Sequence, residues 1–315
     1  MRLVLAGTPD FATEVFRHIL HSHHEVLALI AQPDKPFGRT GELKAPSTKN
    51  LLLEYKGADS KFANCEILQP SALDEGFIAQ VRALKPEAIL VVAYGRILPR
   101  GFLDIAPCVN IHASLLPKWR GASPLQQMIL EQGEYYGVSA MRIEEGLDSG
   151  AILGLSFVKN YGQDLPTLAL ELAHKGGALS LKILSDLESA RPRLAPLKQI
   201  QADASYCVKV KKSDGAVDFR NALSLWRAYL AYCAWPHIYI HSAQGYTLKL
   251  FEVELVESTQ THRAGEILKV DSESVVVGCE KGSVRIGALQ QEGKARLKAP
   301  IYLNGKRLHK GDILS

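Results

Sequence analysis

The chain has 315 residues, 47% of them hydrophobic and 22% charged, with a formal net charge of +4. That length suits two domains of ordinary size, and the composition excludes a disordered or fibrous protein. No apolar run approaches the roughly 18–20 residues that cross a bilayer, so a helical membrane protein is excluded too.

Met1–Gly7 reads as a first strand, without the basic leader and cleavage site of a signal peptide. After a turn at Gly7–Asp10, residues Phe11–Leu20 carry apolar side chains at helical spacing. The turn lacks GxGxxG spacing, so dinucleotide binding by that route is not supported. His18, His21, His23 and His24 come next, with no acidic residue at a fitting helical spacing. They are expected to be an exposed helix end rather than a zinc site. Glu25–Ala31 is the second strand. Gln32–Lys49 reads as a long loop rich in Pro and Gly, with Lys35, Arg39, Lys44 and Lys49 as possible phosphate grips.

A helix over Leu73–Leu84 leads to the buried-type strand Ala88–Ala93. The loop Tyr94–Pro99 lies at that strand's carboxyl end, where Gly95 would let the backbone face a flat heterocycle. The strand Val109–His112 carries the most informative pattern. Residues i and i+2 of a strand share a face, so Asn110 and His112 point together while Ile111 packs inward. An amide donor beside an imidazole can polarise a carbonyl and hold its oxyanion, which points to acyl or formyl transfer. A helix over Pro124–Gln132 and the apolar run Val138–Ile143 follow, and then Asp148 in a Gly-rich turn. A carboxylate there would fix the imidazole's tautomer and favour its charged form. These three groups suffice for formyl transfer to an amine. An α-amino group titrates near ~7.7–8.0, so a mild base is enough and no metal is required.

The β-α-β alternation of the first half predicts an α/β fold, a Rossmann-like open and mostly parallel sheet, over 1–189. Ligands of such sheets sit beyond the carboxyl ends of strands. The stretch 190–205 carries prolines and little periodicity and reads as a linker. Over 206–315 the expected elements are a helix at Phe219–Cys233 and strands at Ile238–His241, Thr247–Leu255, Gly265–Val270, Ser274–Gly278 and Ser283–Leu289. They predict a smaller OB-like β-barrel. From Tyr206 onward there are 16 Lys and Arg against 11 Asp and Glu, an excess of five, while the rest of the chain is near neutral. A basic domain joined to a neutral one suggests a polyanionic partner. The five cysteines are odd in number and form no CxxC pair, which fits a reduced cytoplasm and no thiolate zinc site.

Together these stretches resemble the bacterial-type methionyl-tRNA formyltransferases, a folate-dependent family. The similar segments are Ala6–Ala12, Gln32–Pro36, Val91–Pro99, Asn110–Pro124, Gly146–Gly150 and Trp235–Pro236. The resemblance implies 10-formyltetrahydrofolate as co-substrate and initiator methionyl-tRNA as acceptor, in a cytoplasmic monomer without metal or membrane. It assigns catalysis to Asn110, His112 and Asp148. It assigns folate contacts to Ser114, Leu115, Leu116 and Pro117, and to Tyr94, Gly95, Arg96 and Ile97. tRNA contacts are expected at Arg39, Lys44, Lys209, Lys211 and Lys212. Glu42 stands where the family's early loop is more basic. One alternative is a formyltransferase for a small amine, such as an amino sugar or glycinamide ribonucleotide. Another is a tRNA-binding module with a lapsed site, which has no reason to keep all three catalytic groups.

Overall fold

The computed structural model describes residues 1–38, 41–189, 195–242 and 244–314. Two compact units emerge. The first comprises Met1–Pro124, Glu134–Lys159 and Ala169–Val208, and the second Leu125–Gly133, Asn160–Leu168 and Lys209–Ser315.

In chain order the elements over residues 1–208 begin with β1 (Arg2–Gly7), α1 (Asp10–Leu20), β2 (Glu25–Ile30), β3 (Lys35–Phe37), β4 (Glu42–Lys44), α2 (Ser47–Ala58), β5 (Glu66–Leu68) and α3 (Glu75–Ala83). They continue with β6 (Ala88–Val92), α4 (Arg100–Leu103), β7 (Cys108–His112), β8 (Arg120–Gly121), α5 (Pro124–Glu131), β9 (Tyr135–Arg142), β10 (Ile152–Lys159), α6 (Leu165–Glu188) and β11 (Tyr206–Cys207).

Seven of these strands form one sheet in the order β10-β9-β7-β6-β1-β2-β5. The five from β7 to β5 are parallel, and β9 and β10 add an antiparallel edge. Both faces of the parallel part are covered, so its strands are apolar on both sides. Leu3 and Leu5 join one core with Val15, Phe16 and Ile19 of α1. Val4 and Ala6, one step along the same strand, join a second core with Phe77, Ile78 and Val81 of α3. β6, Ala-Ile-Leu-Val-Val, is buried throughout at the sheet centre. α3 starts where the Asp74 carboxylate accepts the N–H of Phe77 at 2.9 Å, satisfying one orphan donor of the helix end. The strand order reverses between β1 and β6, and β7 lies beside β6 with Asn110 opposite Val91. His112 therefore closes a strand at the carboxyl edge of the sheet, next to the switch point.

The mostly parallel α/β sheet agrees with the expectation, but two expectations change. The stretch 32–49 is not one irregular loop. It holds the hairpin β3–β4, with Lys35 opposite Lys44, and the first turn of α2. Of the stretch read as a linker, 190–194 lie outside the described residues. From Ala195 onward it is tied to the first unit. Leu197 bridges Ile152, and Tyr206–Cys207 pairs in parallel with Arg120–Gly121.

The second unit contains α7 (Ala222–Tyr232), the strands β12 (Tyr239–His241), β13 (Thr247–Glu257), β14 (Ile267–Val270), β15 (Val275–Gly278), β16 (Ser283–Gln291) and β17 (Leu297–Lys298), and α8 (Ala299–Lys306). Its sheet runs β12-β13-β16-β15-β14, with β17 on β16, and every pair is antiparallel. The helix and strands expected there all form, within a few residues of their expected ends. α7 is capped by Asn221, whose side chain accepts the Ser224 N–H at 3.0 Å.

Candidate active site

β7 brings the amide and the imidazole to one face. Ile111 between them is 2% exposed and packs into the first core. His112 is also buried, at 6% exposure, and Asn110 is half-buried. Asp148 arrives from the turn between β9 and β10. Its Oδ1 lies 3.4 Å from Asn110 Nδ2, and its Oδ2 lies 3.6 Å from His112 Nδ1. The three expected catalytic side chains therefore converge, although Asp148 is 36 residues beyond His112 in the chain.

Two residues missed by sequence reasoning fix the orientation. The carbonyl of Trp119 lies 2.9 Å from His112 Nε2, and a carbonyl can only accept. Nε2 therefore carries hydrogen, and Nδ1 is the edge of the ring that faces Asp148. The backbone N–H of Gly121 donates to Asp148 Oδ2 at 2.8 Å. Gly121 has φ +117°, and a Cβ there would lie 2.2 Å from the Cys207 carbonyl oxygen, so glycine is required. Both residues sit inside the motif Asn110–Pro124, but no spacing rule marks a backbone carbonyl or N–H as functional.

The loop Ser114–Pro117 is braced from beneath. Ser139 of β9 donates through Oγ to the Ser114 carbonyl at 2.6 Å and accepts the Leu116 N–H at 3.0 Å. Ser114 Oγ is spent on the Lys118 carbonyl at 2.6 Å. Ser114 and Leu116 are buried, whereas Leu115 and Pro117 are half-buried. Along the loop after β6, Tyr94 is 2% exposed and its hydroxyl is buried without a hydrogen-bond partner among the described residues. Burial pushes that hydroxyl's pKa up. The Tyr94 carbonyl accepts from Gln32 Nε2 at 3.1 Å. Gly95 has φ +77° with open space where a side chain would stand, and Ile97 is 92% exposed. Arg96 turns back and donates to the carbonyls of Pro70 and Ser71 at 3.1 and 2.9 Å.

Of the basic residues, Arg39 lies outside the described residues. Lys44 is exposed on β4 in the first unit, and Lys209, Lys211 and Lys212 are exposed in the second. The histidine run departs from its expectation. His24 is buried at 1% exposure, and Glu188 approaches both His23 and His24, at 3.2 and 3.6 Å. Among the described residues this is the group of side chains close enough to share a metal ion. Glu188 is too remote in sequence for any helical spacing to reveal it. All five cysteines are free thiols. No helix among the described residues is long and apolar enough to cross a membrane.

The chain is similar to known proteins. The formyl transferase family matches residues 1–160, and the formyl transferase C-terminal domain matches residues 209–307. The methionyl-tRNA formyltransferase of Helicobacter acinonychis (strain Sheeba) is 49% identical over 319 residues, with 100% of both chains covered. Among solved structures, the methionyl-tRNA formyltransferase from Clostridium thermocellum has a TM-score of 0.54 at 19% identity, covering 81% of this chain and 93% of that one. HypX from Aquifex aeolicus in complex with tetrahydrofolic acid has a TM-score of 0.62 at 17% identity, covering 96% of this chain and 46% of that one.

Proposed function

The chain belongs to the formyl transferase family, and from that premise we propose that Asn110, His112 and Asp148 transfer a formyl group from 10-formyltetrahydrofolate to the α-amino group of initiator methionyl-tRNA. The observation that carries the reading is the convergence of one amide, one imidazole and one carboxylate within 3.4–3.6 Å at a strand's carboxyl end. Full-length identity to a methionyl-tRNA formyltransferase selects the acceptor.

In this mechanism the amine nitrogen attacks the formyl carbon, and negative charge builds on the formyl oxygen. Asn110 Nδ2 and, in the doubly protonated imidazolium, the Nδ1–H of His112 are the donors for that oxygen, because Nε2 is already anchored on Trp119. Contacts of 3.4 and 3.6 Å are long for working hydrogen bonds, and such contacts tighten around a reacting group. Asp148 steadies the imidazole and relays the proton lost by the amine. The bond from formyl carbon to folate nitrogen breaks, that nitrogen takes up a proton, and tetrahydrofolate leaves.

The folate fits the loop after β6 and the loop Ser114–Pro117. The open backbone at Gly95 and the exposed Ile97 support this reading, as main-chain and apolar contacts for a flat ring. Residues 1–189 act as the formyl-transfer domain. Lys44 and the basic second domain, through Lys209, Lys211 and Lys212, contact tRNA phosphates, joined by Arg39. The work is done in the cytoplasm by a monomer.

The test is a formylation assay with aminoacylated initiator tRNA and 10-formyltetrahydrofolate, beside free methionine and an amino sugar. Formylation of the tRNA alone is expected. Preference for the amino sugar overturns the acceptor assignment.

A further inference from the structure

Gln199 and Arg120 form a buried pair that the mechanism above does not use. Gln199 is 8% exposed and Arg120 is 2% exposed. Arg120 donates to Gln199 Oε1 through Nε at 3.0 Å and through Nη2 at 2.8 Å. Its Nη1 donates to Gln201 Oε1 at 2.8 Å and to the Tyr206 hydroxyl at 3.1 Å. A guanidinium has no acceptor, so the oxygen end of the Gln199 amide must face it. The NH2 end is thereby aimed at two backbone carbonyls, Asp148 at 2.9 Å and Gly150 at 2.7 Å.

Those carbonyls bracket the turn that presents the catalytic carboxylate. Asp148 has φ +47°, a left-handed conformation that a residue with a Cβ adopts at a cost. Something must hold it there, and two hydrogen bonds from a buried, pre-oriented amide do so. We propose that Gln199 is a positioning residue for Asp148 and that Arg120 orients it. The inference rests on the catalytic role assigned to Asp148 under the proposed function.

Gln199→Glu separates this role from simple satisfaction of Arg120. The carboxylate keeps an acceptor for the guanidinium, but its second oxygen has no hydrogen to give to the carbonyls of Asp148 and Gly150. In the full-length protein kcat should fall about tenfold or more, the scale of a slightly misplaced catalytic group, while KM for 10-formyltetrahydrofolate stays within about threefold. In a double-mutant cycle, Asp148→Asn with Gln199→Glu should be no slower than Asp148→Asn alone, to within about twofold. Gln201→Ala removes one acceptor of Arg120 without touching the turn, and should leave kcat within about twofold of the parent.

Losses that multiply in the double variant, a normal kcat in Gln199→Glu, or an equal loss in Gln201→Ala overturn the proposal. A normal kcat in Asp148→Asn instead removes the catalytic assignment itself, so the two failures are distinguishable. Should Gln199→Glu not fold, Gln199→Met made together with Arg120→Met, which leaves no unpaired guanidinium, enters the same cycle with the same expected outcomes.

Discussion

Asp148 Oδ2 accepts the backbone N–H of Gly121 at 2.8 Å. The bond ties the turn that carries Asp148 to the loop that follows β7, so one carboxylate oxygen is aimed by the same segment whose Trp119 carbonyl anchors His112. Acid and imidazole are thus each held by a main-chain group, which cannot rotate away as a side chain can.

Gly121→Ala should break this arrangement. The added Cβ meets the Cys207 carbonyl oxygen at 2.2 Å, and the residue must keep φ +117°. Backbone strain of this kind costs about 1–3 kcal/mol. The melting temperature should drop, and kcat in the folded fraction should fall further than a purely global destabilisation explains. A variant with lowered melting temperature but unchanged kcat would show that the Gly121 N–H does not orient Asp148.

His112→Ala removes an oxyanion donor together with the proton-handling imidazole. Turnover should decrease by roughly 10²–10⁴-fold, and Asn110→Ala, which removes one donor, by roughly 10²–10³-fold. Single-turnover formylation with saturating tRNA measures both. Near-normal rates in either variant would refute the assigned role.

Lys209, Lys211 and Lys212 are exposed in the second unit. If they contact phosphates, tRNA affinity should weaken by about tenfold or more between 50 and 200 mM salt, because each contact releases counterions. Replacing all three lysines by Ala should flatten that slope. A flat slope in the parent protein points to a small-amine acceptor instead.

Asp34 gives a pH-dependent prediction. It accepts from Lys49 Nζ at 3.0 and 2.8 Å and from Gln69 Nε2 at 2.7 Å, and these partners, Lys49 foremost, hold its carboxyl below its ordinary value of 3.8. A depressed carboxylate contributes stability above its unfolded pKa and loses it as pH falls through the folded pKa. The melting temperature of the parent should therefore exceed that of Asp34→Asn near pH 6, and the gap should close in acid, below about pH 4. A gap that widens in acid would contradict the pairing.

Much of the site was legible because it is local. The i, i+2 rule places Asn110 and His112 on one face, and the structure keeps them there. The strands β1, β2, β6 and β7 and the helices α1 and α3 follow from apolar periodicity, and each forms within a few residues of its expected ends. The stretch Gln32–Lys49 fails for the opposite reason. β3 and β4 have three residues each and no apolar face of helical or strand period, so no periodicity announces them. His24 and Glu188 likewise meet across most of the first unit's sequence.

Strand alternation determined the fold class, and the sequence singled out the basic last third and three candidate reactive side chains, because short-range periodicity and chemical type are written residue by residue. Only tertiary structure decided which nitrogen of His112 is free to act. It also decided what aims Asp148, and that Arg120 and Gln199 stand behind it. Those contacts are made by backbone carbonyls, an N–H and a segment about fifty residues downstream. Every residue carries the same main-chain groups, so their roles arise only where the packed sheet and its returning segment bring them together.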